Sequence, residues 1–113
     1  MHELSLCRAI ADTARDHAGG RELARVTVRI GHLRQVVPDT LHHCWGLTVD
    51  DTPLAGCELV IEHVPAVAAC RACGARTTLD QPVLRCASCD GRDLVLESGD
   101  EFLVASIDVL EAI

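Results

Sequence analysis

The stretch CRACGARTTLDQPVLRCASC, residues 70–89, sets two C-x2-C knuckles twelve residues apart. A two-residue spacer lets both thiolates of one knuckle face a single ion, and a hairpin between the knuckles brings the second pair to the same ion. That is the pattern of a tetrahedral zinc ribbon held by Cys70, Cys73, Cys86 and Cys89. Four thiolates fill the coordination sphere, so the pattern predicts a structural Zn(II) with no position left for water or substrate. Gly74 relieves the turn after the first knuckle. A thioredoxin-like redox site needs one C-x-x-C at a strand-to-helix junction, and this pair of knuckles does not fit it.

Such a ribbon is too small for a core of its own, so metal binding supplies most of its folding energy. It begins at Pro65 and holds the short β-prone pieces PVLRC and DLVLE. Outside it the patterning changes. Leu4, Cys7, Ala11, Ala14 and Ala18 recur at helical spacing with Ile10 on the same flank, and Gly19-Gly20 supplies the stop. RVTVRI (25–30) alternates Val26, Val28 and Ile30 with polar residues, the mark of a strand with one buried face. In VVPDTLHHCWGLTVDD (36–51), Pro38 and Asp39 suit a helix's first turn, with Leu41, Trp45, Thr48 and Val49 inward. GCELVIEH (56–63) puts Cys57, Leu59 and Ile61 on one side, and FLVASIDVL (102–110) reads as a third strand. The expected class is α+β. Residues 1–64 plus 101–113 form two helices on a three-stranded sheet, and residues 65–100 form the inserted zinc-binding domain.

The chain has 113 residues, of which 49% are hydrophobic, enough for one real core beside a small module. Trp45 and Phe102 are its only aromatics, so that core is aliphatic. A net charge of −7 with no basic run disfavours nucleic acid and anionic membranes as partners. No apolar stretch approaches the roughly 20 residues of a membrane span, and no signal peptide is evident. Seven cysteines is an odd number without an export signal, which opposes a disulfide scaffold and favours a reducing cytoplasm. Cys7, Cys44 and Cys57 fall on apolar faces and read as buried small hydrophobes.

MHE at the start is the second motif. The Met1 amine and the His2 backbone nitrogen close a five-membered chelate ring. The same backbone nitrogen and His2 Nδ1 close a six-membered one. Three nitrogens then lie in a plane with a fourth position open, an arrangement suited to nickel(II) or copper(II). Glu3 offers either its carboxylate or its backbone nitrogen. Met1 is expected to survive processing, because histidine is too large a second residue for its removal. The plainer account is a solvated end with Glu3 favouring the positive pole of the first helix. His42 and His43 are adjacent on a helix and point about 100° apart, which is poor chelating geometry. His17, His32 and His63 stand singly and read as packing residues.

MHELSL at the start, RVTVRIGHLRQVVPDTL in the middle, then LVIEHVPAVAACRACG and the second C-x2-C together resemble the HypA/HybF family. The likeness runs through nearly the whole chain. It implies a nickel metallochaperone for the maturation of [NiFe]-hydrogenase, and in some organisms of urease. The implied fold is an α/β nickel-binding domain carrying a four-cysteine zinc domain. By resemblance His2 is the principal ligand of a transient Ni(II), Met1 and Glu3 contribute, and Cys70, Cys73, Cys86 and Cys89 hold zinc. A HypB-type GTPase and the hydrogenase large subunit are the implied partners, and a weak homodimer is compatible with it. Two departures stand out. PDTLHHCWGL replaces the glutamate and phenylalanine-rich helix of many relatives, and Asp90 stands where a glycine is common. Neither touches the metal ligands, so it is the identity of the partners that these departures bear on.

Neither phosphate-binding loop nor nucleophile–base pairing is present, so the resemblance and the residues both argue against an enzyme. The competing reading is a zinc-ribbon nucleic-acid-binding protein. Charge opposes it: residues 68–97 hold four arginines against four acids, with no aromatic for base stacking. A purely structural scaffold that ignores nickel is the third reading.

Overall fold

The computed structural model describes residues 2–110, apart from the His2 side chain; Met1 and residues 111–113 lie outside. The first helix, α1 (His2–Ala18), carries Glu3 in its first turn, where the positive end of the helix dipole favours a carboxylate. It ends where Gly19 and Gly20 take φ of 60° and 85°, a left-handed conformation that costs glycine little. Strand β1 (Leu23–Gly31) follows, then a single 3-10 turn, His32–Arg34. Pro38 opens α2 (Pro38–Val49), where its missing N–H is no loss.

Strand β2 (Glu58–Val64) and strand β6 (Phe102–Val109) flank β1 in a three-stranded sheet of order β2-β1-β6. A second sheet, order β4-β3-β5, is built from β3 (Ala66–Cys70), β4 (Arg76–Leu79) and β5 (Leu94–Ser98). Its pairing is antiparallel, with Ala66 opposite Leu79 and Cys70 opposite Leu94, and a bulge falls between Val67 and Ala68. Two helices and two sheets make the α+β class the sequence predicts. PVLRC is the exception within it: residues 82–86 form no strand, and the β-structure sits instead on Ala66–Cys70 and Arg76–Leu79.

The chain divides into two compact units. One takes the described residues up to Arg29, then Val36–Glu62, and those from Leu103 on. Its buried residues follow the periodicities: Cys7, Ile10, Ala14 and Ala18 of α1, Val26 and Val28 of β1, Leu41, Trp45 and Val49 of α2. The two helices touch through the Cys7 thiol, which donates to the Leu41 carbonyl at 3.4 Å. Trp45 is buried with its indole N–H satisfied by the Cys57 carbonyl at 2.8 Å. Thr48, expected inward, is half-buried because its hydroxyl folds back onto the Cys44 carbonyl; Cys44 takes the inner place. Ile61 is also only half-buried, and no residue of β6 is fully buried.

The other unit comprises Ile30–Gln35 and His63–Phe102. Residues 30–35, grouped with the helices in the sequence reading, join it through backbone bonds. Gly31 N–H donates to the Glu101 carbonyl at 2.7 Å and Leu33 N–H to the Gly99 carbonyl at 2.8 Å. Gly31 has no room for a side chain, since a Cβ would collide with the Gly99 backbone. Leu33 in turn packs on a small cluster of Ala66, Ala68, Cys70, Leu79, Cys86 and Leu94. Among the described residues no helix is long and apolar enough to cross a membrane.

Candidate metal centre

Each knuckle is one copy of the same local structure. In the first, Cys70 N–H donates to the Ala75 carbonyl and Gly74 N–H to the Cys70 carbonyl, both at 2.9 Å. In the second, Cys86 N–H donates to Gly91 at 2.8 Å and Asp90 N–H to Cys86 at 2.9 Å. The correspondence extends across the site. Arg71 N–H, just after the first cysteine, reaches the Asp93 carbonyl at 2.9 Å, and Ala87 N–H, its counterpart, reaches the Thr77 hydroxyl at 3.0 Å. Each knuckle is thus tied to the segment that follows the other. The turn residue after each knuckle is left-handed: Gly74 at φ 78° and Asp90 at φ 63°. Aspartate tolerates that region better than most residues, which explains how the second knuckle forms without glycine.

This framework gathers the four thiols. Cys70 Sγ lies 3.7 Å from Cys89 Sγ, and Cys73 Sγ lies 3.6 Å from Cys86 Sγ. All four sulfurs fall within 4.8 Å of one another, and theirs is the only such cluster of metal-ligating side chains among the described residues. Zinc–sulfur bonds of about 2.3 Å in a tetrahedron give sulfur–sulfur edges of about 3.8 Å. A disulfide would need about 2.05 Å. The spacing therefore fits a four-thiolate metal site and shows no disulfide among these cysteines. Cys70 and Cys86 are buried while Cys73 and Cys89 are exposed, so the cluster is anchored on its inner side.

The electrostatics ask for a cation. Amide hydrogens of Cys89 and Ser88 favour the Cys86 thiolate and bring its pKa down to about 6. The Gly91 amide likewise favours a Cys89 thiolate, but hydrogen bonds with Cys70, Cys86 and Cys73 outweigh it and push Cys89 up to about 12. Cys73 is raised too: the Ala75 amide lowers it, and its neighbours Cys86 and Cys70, with burial, more than offset that. Cys86 ionises readily, whereas Cys73 and Cys89 resist. A divalent ion at the centre removes that resistance by stabilising all four thiolates together.

The other three thiols are buried. Burial, chiefly, pushes Cys7 up to about 11 and raises Cys57. All three are buried small hydrophobes, as expected. At the other candidate site, Met1 and the His2 side chain lie outside the described residues. The His2 backbone opens α1, and Glu3 is half-buried in its first turn. His32 and His63, read singly in the sequence, are neighbours: His32 Nδ1 lies 3.0 Å from His63 Nε2. They lie 31 positions apart, so no spacing rule in the sequence links them.

The chain matches a family model described as HypA, hydrogenase/urease nickel incorporation, metallochaperone, over residues 1–109. It is 37% identical to a hydrogenase maturation factor HypA of Desulfosudis oleivorans, covering 98% of this chain and 100% of that protein. A Chloroflexus aurantiacus protein of the same name is 45% identical over 94 residues, covering 80% and 82% of the two chains. The fold matches the solution structure of the Ni metallochaperone HypA from Helicobacter pylori with a TM-score of 0.68. That match covers 99% of this chain and 100% of the other at 18% identity.

Proposed function

The chain belongs to the HypA family of hydrogenase/urease nickel-incorporation metallochaperones, and from that premise we propose that it carries Ni(II) on its amino-terminal residues and delivers it during [NiFe]-hydrogenase maturation. The observation that carries this reading is the family match, which begins at residue 1 and runs through both candidate metal motifs. His2 is the principal nickel ligand, with Met1 and Glu3 contributing. Helical geometry supports the assignment. The first amides of a helix have no intrahelical acceptor, so the His2 and Glu3 backbone nitrogens at the start of α1 ligate a metal without breaking helical bonds. Exchange follows from the chemistry: a histidine at position 2 leaves a planar position open for an acceptor.

Cys70, Cys73, Cys86 and Cys89 hold a structural Zn(II). The ion's role is to fold the module, since four thiolates leave it no open position. The protein binds and hands over metal rather than catalysing a reaction. It works in the cytoplasm with a HypB-type GTPase and the hydrogenase large subunit; urease maturation draws on the same delivery chemistry. A strain lacking this chain tests the reading. The intact protein restores hydrogenase activity at limiting nickel, and His2→Ala does not. Excess nickel in the medium rescues His2→Ala, as mass action requires of a delivery defect. A His2→Ala protein that matures hydrogenase normally at limiting nickel would contradict the proposal.

A further inference from the structure

We infer that His32 and His63 form a second, two-imidazole site for a borderline divalent transition ion, separate from both the four-thiol centre and the amino terminus. The four-cysteine cluster leaves these residues unused, and the family reading gives them no part.

The tautomers are set by the surroundings. His32 Nε2 lies 2.8 Å from the Asp80 carbonyl, which only accepts, so Nε2 carries a hydrogen. Neutral His32 therefore presents a bare lone pair on Nδ1, which accepts from His63 Nε2–H at 3.0 Å. An imidazole that donates one nitrogen to a backbone carbonyl or carboxylate while offering the other is the arrangement of a metal-ligating histidine. The Asp80 carboxylate adds to it, with Oδ1 3.4 Å from the same Nε2.

The distance also fits. Metal–nitrogen bonds of about 2.0–2.1 Å put two cis nitrogens roughly 2.9 Å apart at a right angle and roughly 3.4 Å apart in a tetrahedron. The observed 3.0 Å lies between these. The rings meet edge-on at 88°, and an ion takes the place of the bridging hydrogen once the exposed His63 ring turns and carries its hydrogen on Nδ1, so that both bare nitrogens face the ion. A cavity of about 220 Å³ opens beside the pair, with Thr78 and Pro65 among its walls, leaving room for water to complete the coordination.

The site is held by backbone. His32 follows Gly31 and precedes Leu33, and both are bonded to the 99–101 segment. Arg34 Nε adds a third bond, to the Asp100 carbonyl at 2.8 Å. His63 is carried near the end of β2, so only its side chain has to move. Two nitrogens with water in the remaining positions suit zinc, nickel or copper, and favour exchange over permanent residence.

The test uses zinc-saturated full-length His2→Ala protein, which lacks the proposed nickel ligand, so the outcome is independent of the amino-terminal site. Zinc chloride is added and the imidazole nitrogens are followed by 15N NMR. His32 and His63 signals should shift together and saturate near one added equivalent. In His63→Gln the His32 shift should vanish, and in His32→Gln the His63 shift should vanish, with the four-cysteine zinc content unchanged in both. Unmoved His32 and His63 signals overturn the inference. So does a parallel, non-saturating drift of His17, His42 and His43, or a His32 shift that survives His63→Gln.

Discussion

The two units are held together by different means. In the first, long aliphatic side chains and one tryptophan do the burying: Ile10, Leu41, Val26 and Val28 are almost fully enclosed and Trp45 nearly so. In the second, the buried cluster is two alanines, two leucines and two of the metal-ligating cysteines. Each fully buried leucine or isoleucine contributes about 1.5–3 kcal/mol, and an alanine far less. The second unit therefore has less apolar burial than the first, and a metal at its four cysteines would supply what that burial lacks.

The largest expected effect breaks the second unit alone. Cys86→Ser removes both a proposed zinc ligand and a member of the buried cluster. Structural zinc contributes roughly 10–16 kcal/mol in sites of this kind, more than most whole domains have in reserve. Zinc content should fall by about one equivalent per chain, and amide protection should collapse in β3, β4 and β5 while α1 and α2 keep theirs. Hydrogen exchange with metal analysis reads both. Protected β3 amides in a zinc-free mutant would show that the apolar cluster suffices.

The converse substitution is Leu41→Ala, in the fully buried face of α2. It should cost the first unit about 2–5 kcal/mol in denaturant unfolding while zinc content stays at the wild-type value. Zinc loss in this mutant would mean that the units are not energetically separate.

The smallest effect compares the two knuckles with each other. They share the two backbone bonds within each knuckle but differ at the left-handed turn, Gly74 against Asp90. Asp90→Gly relieves the conformational cost but loses the exposed Arg85–Asp90 ion pair at 3.3 Å and adds glycine's entropy. Zinc affinity should rise by less than about tenfold, and Gly74→Asp should lower it by a similar factor. Competition with a chelator measures both. Equal affinities in all three proteins would mean that the turn conformation carries no cost.

Much of this was legible in the residues. Alternation in RVTVRI and the 3.6-residue pattern of α1 place Val26, Val28, Cys7 and Ala14 correctly, because one-sided burial imprints a period. The knuckle spacing brings together the four cysteines, because two intervening residues constrain both thiolates to one ion. The rest is tertiary. Arg76–Leu79 is a strand because β3 pairs with it at Ala66–Leu79, although its own residues carry no clear alternation. PVLRC is β-prone yet has no pairing partner and stays irregular. His32 meets His63 only because Gly31 lets the backbone press against Gly99 and carries the histidine with it. No local signal encodes such a meeting.

On the proposed reading, nickel is held at the amino terminus and not at the cysteines. Calorimetric nickel titration of zinc-loaded protein in three forms tests it: untagged, extended by a short amino-terminal tag, and His2→Ala. The tag keeps every side chain but turns the Met1 amine into an amide, which destroys the five-membered chelate ring. His2→Ala removes the imidazole and the six-membered ring. The untagged protein should bind about one nickel, and both variants should lose that binding while retaining their zinc. A tagged protein that binds nickel as tightly as the untagged one would contradict the terminal-amine site.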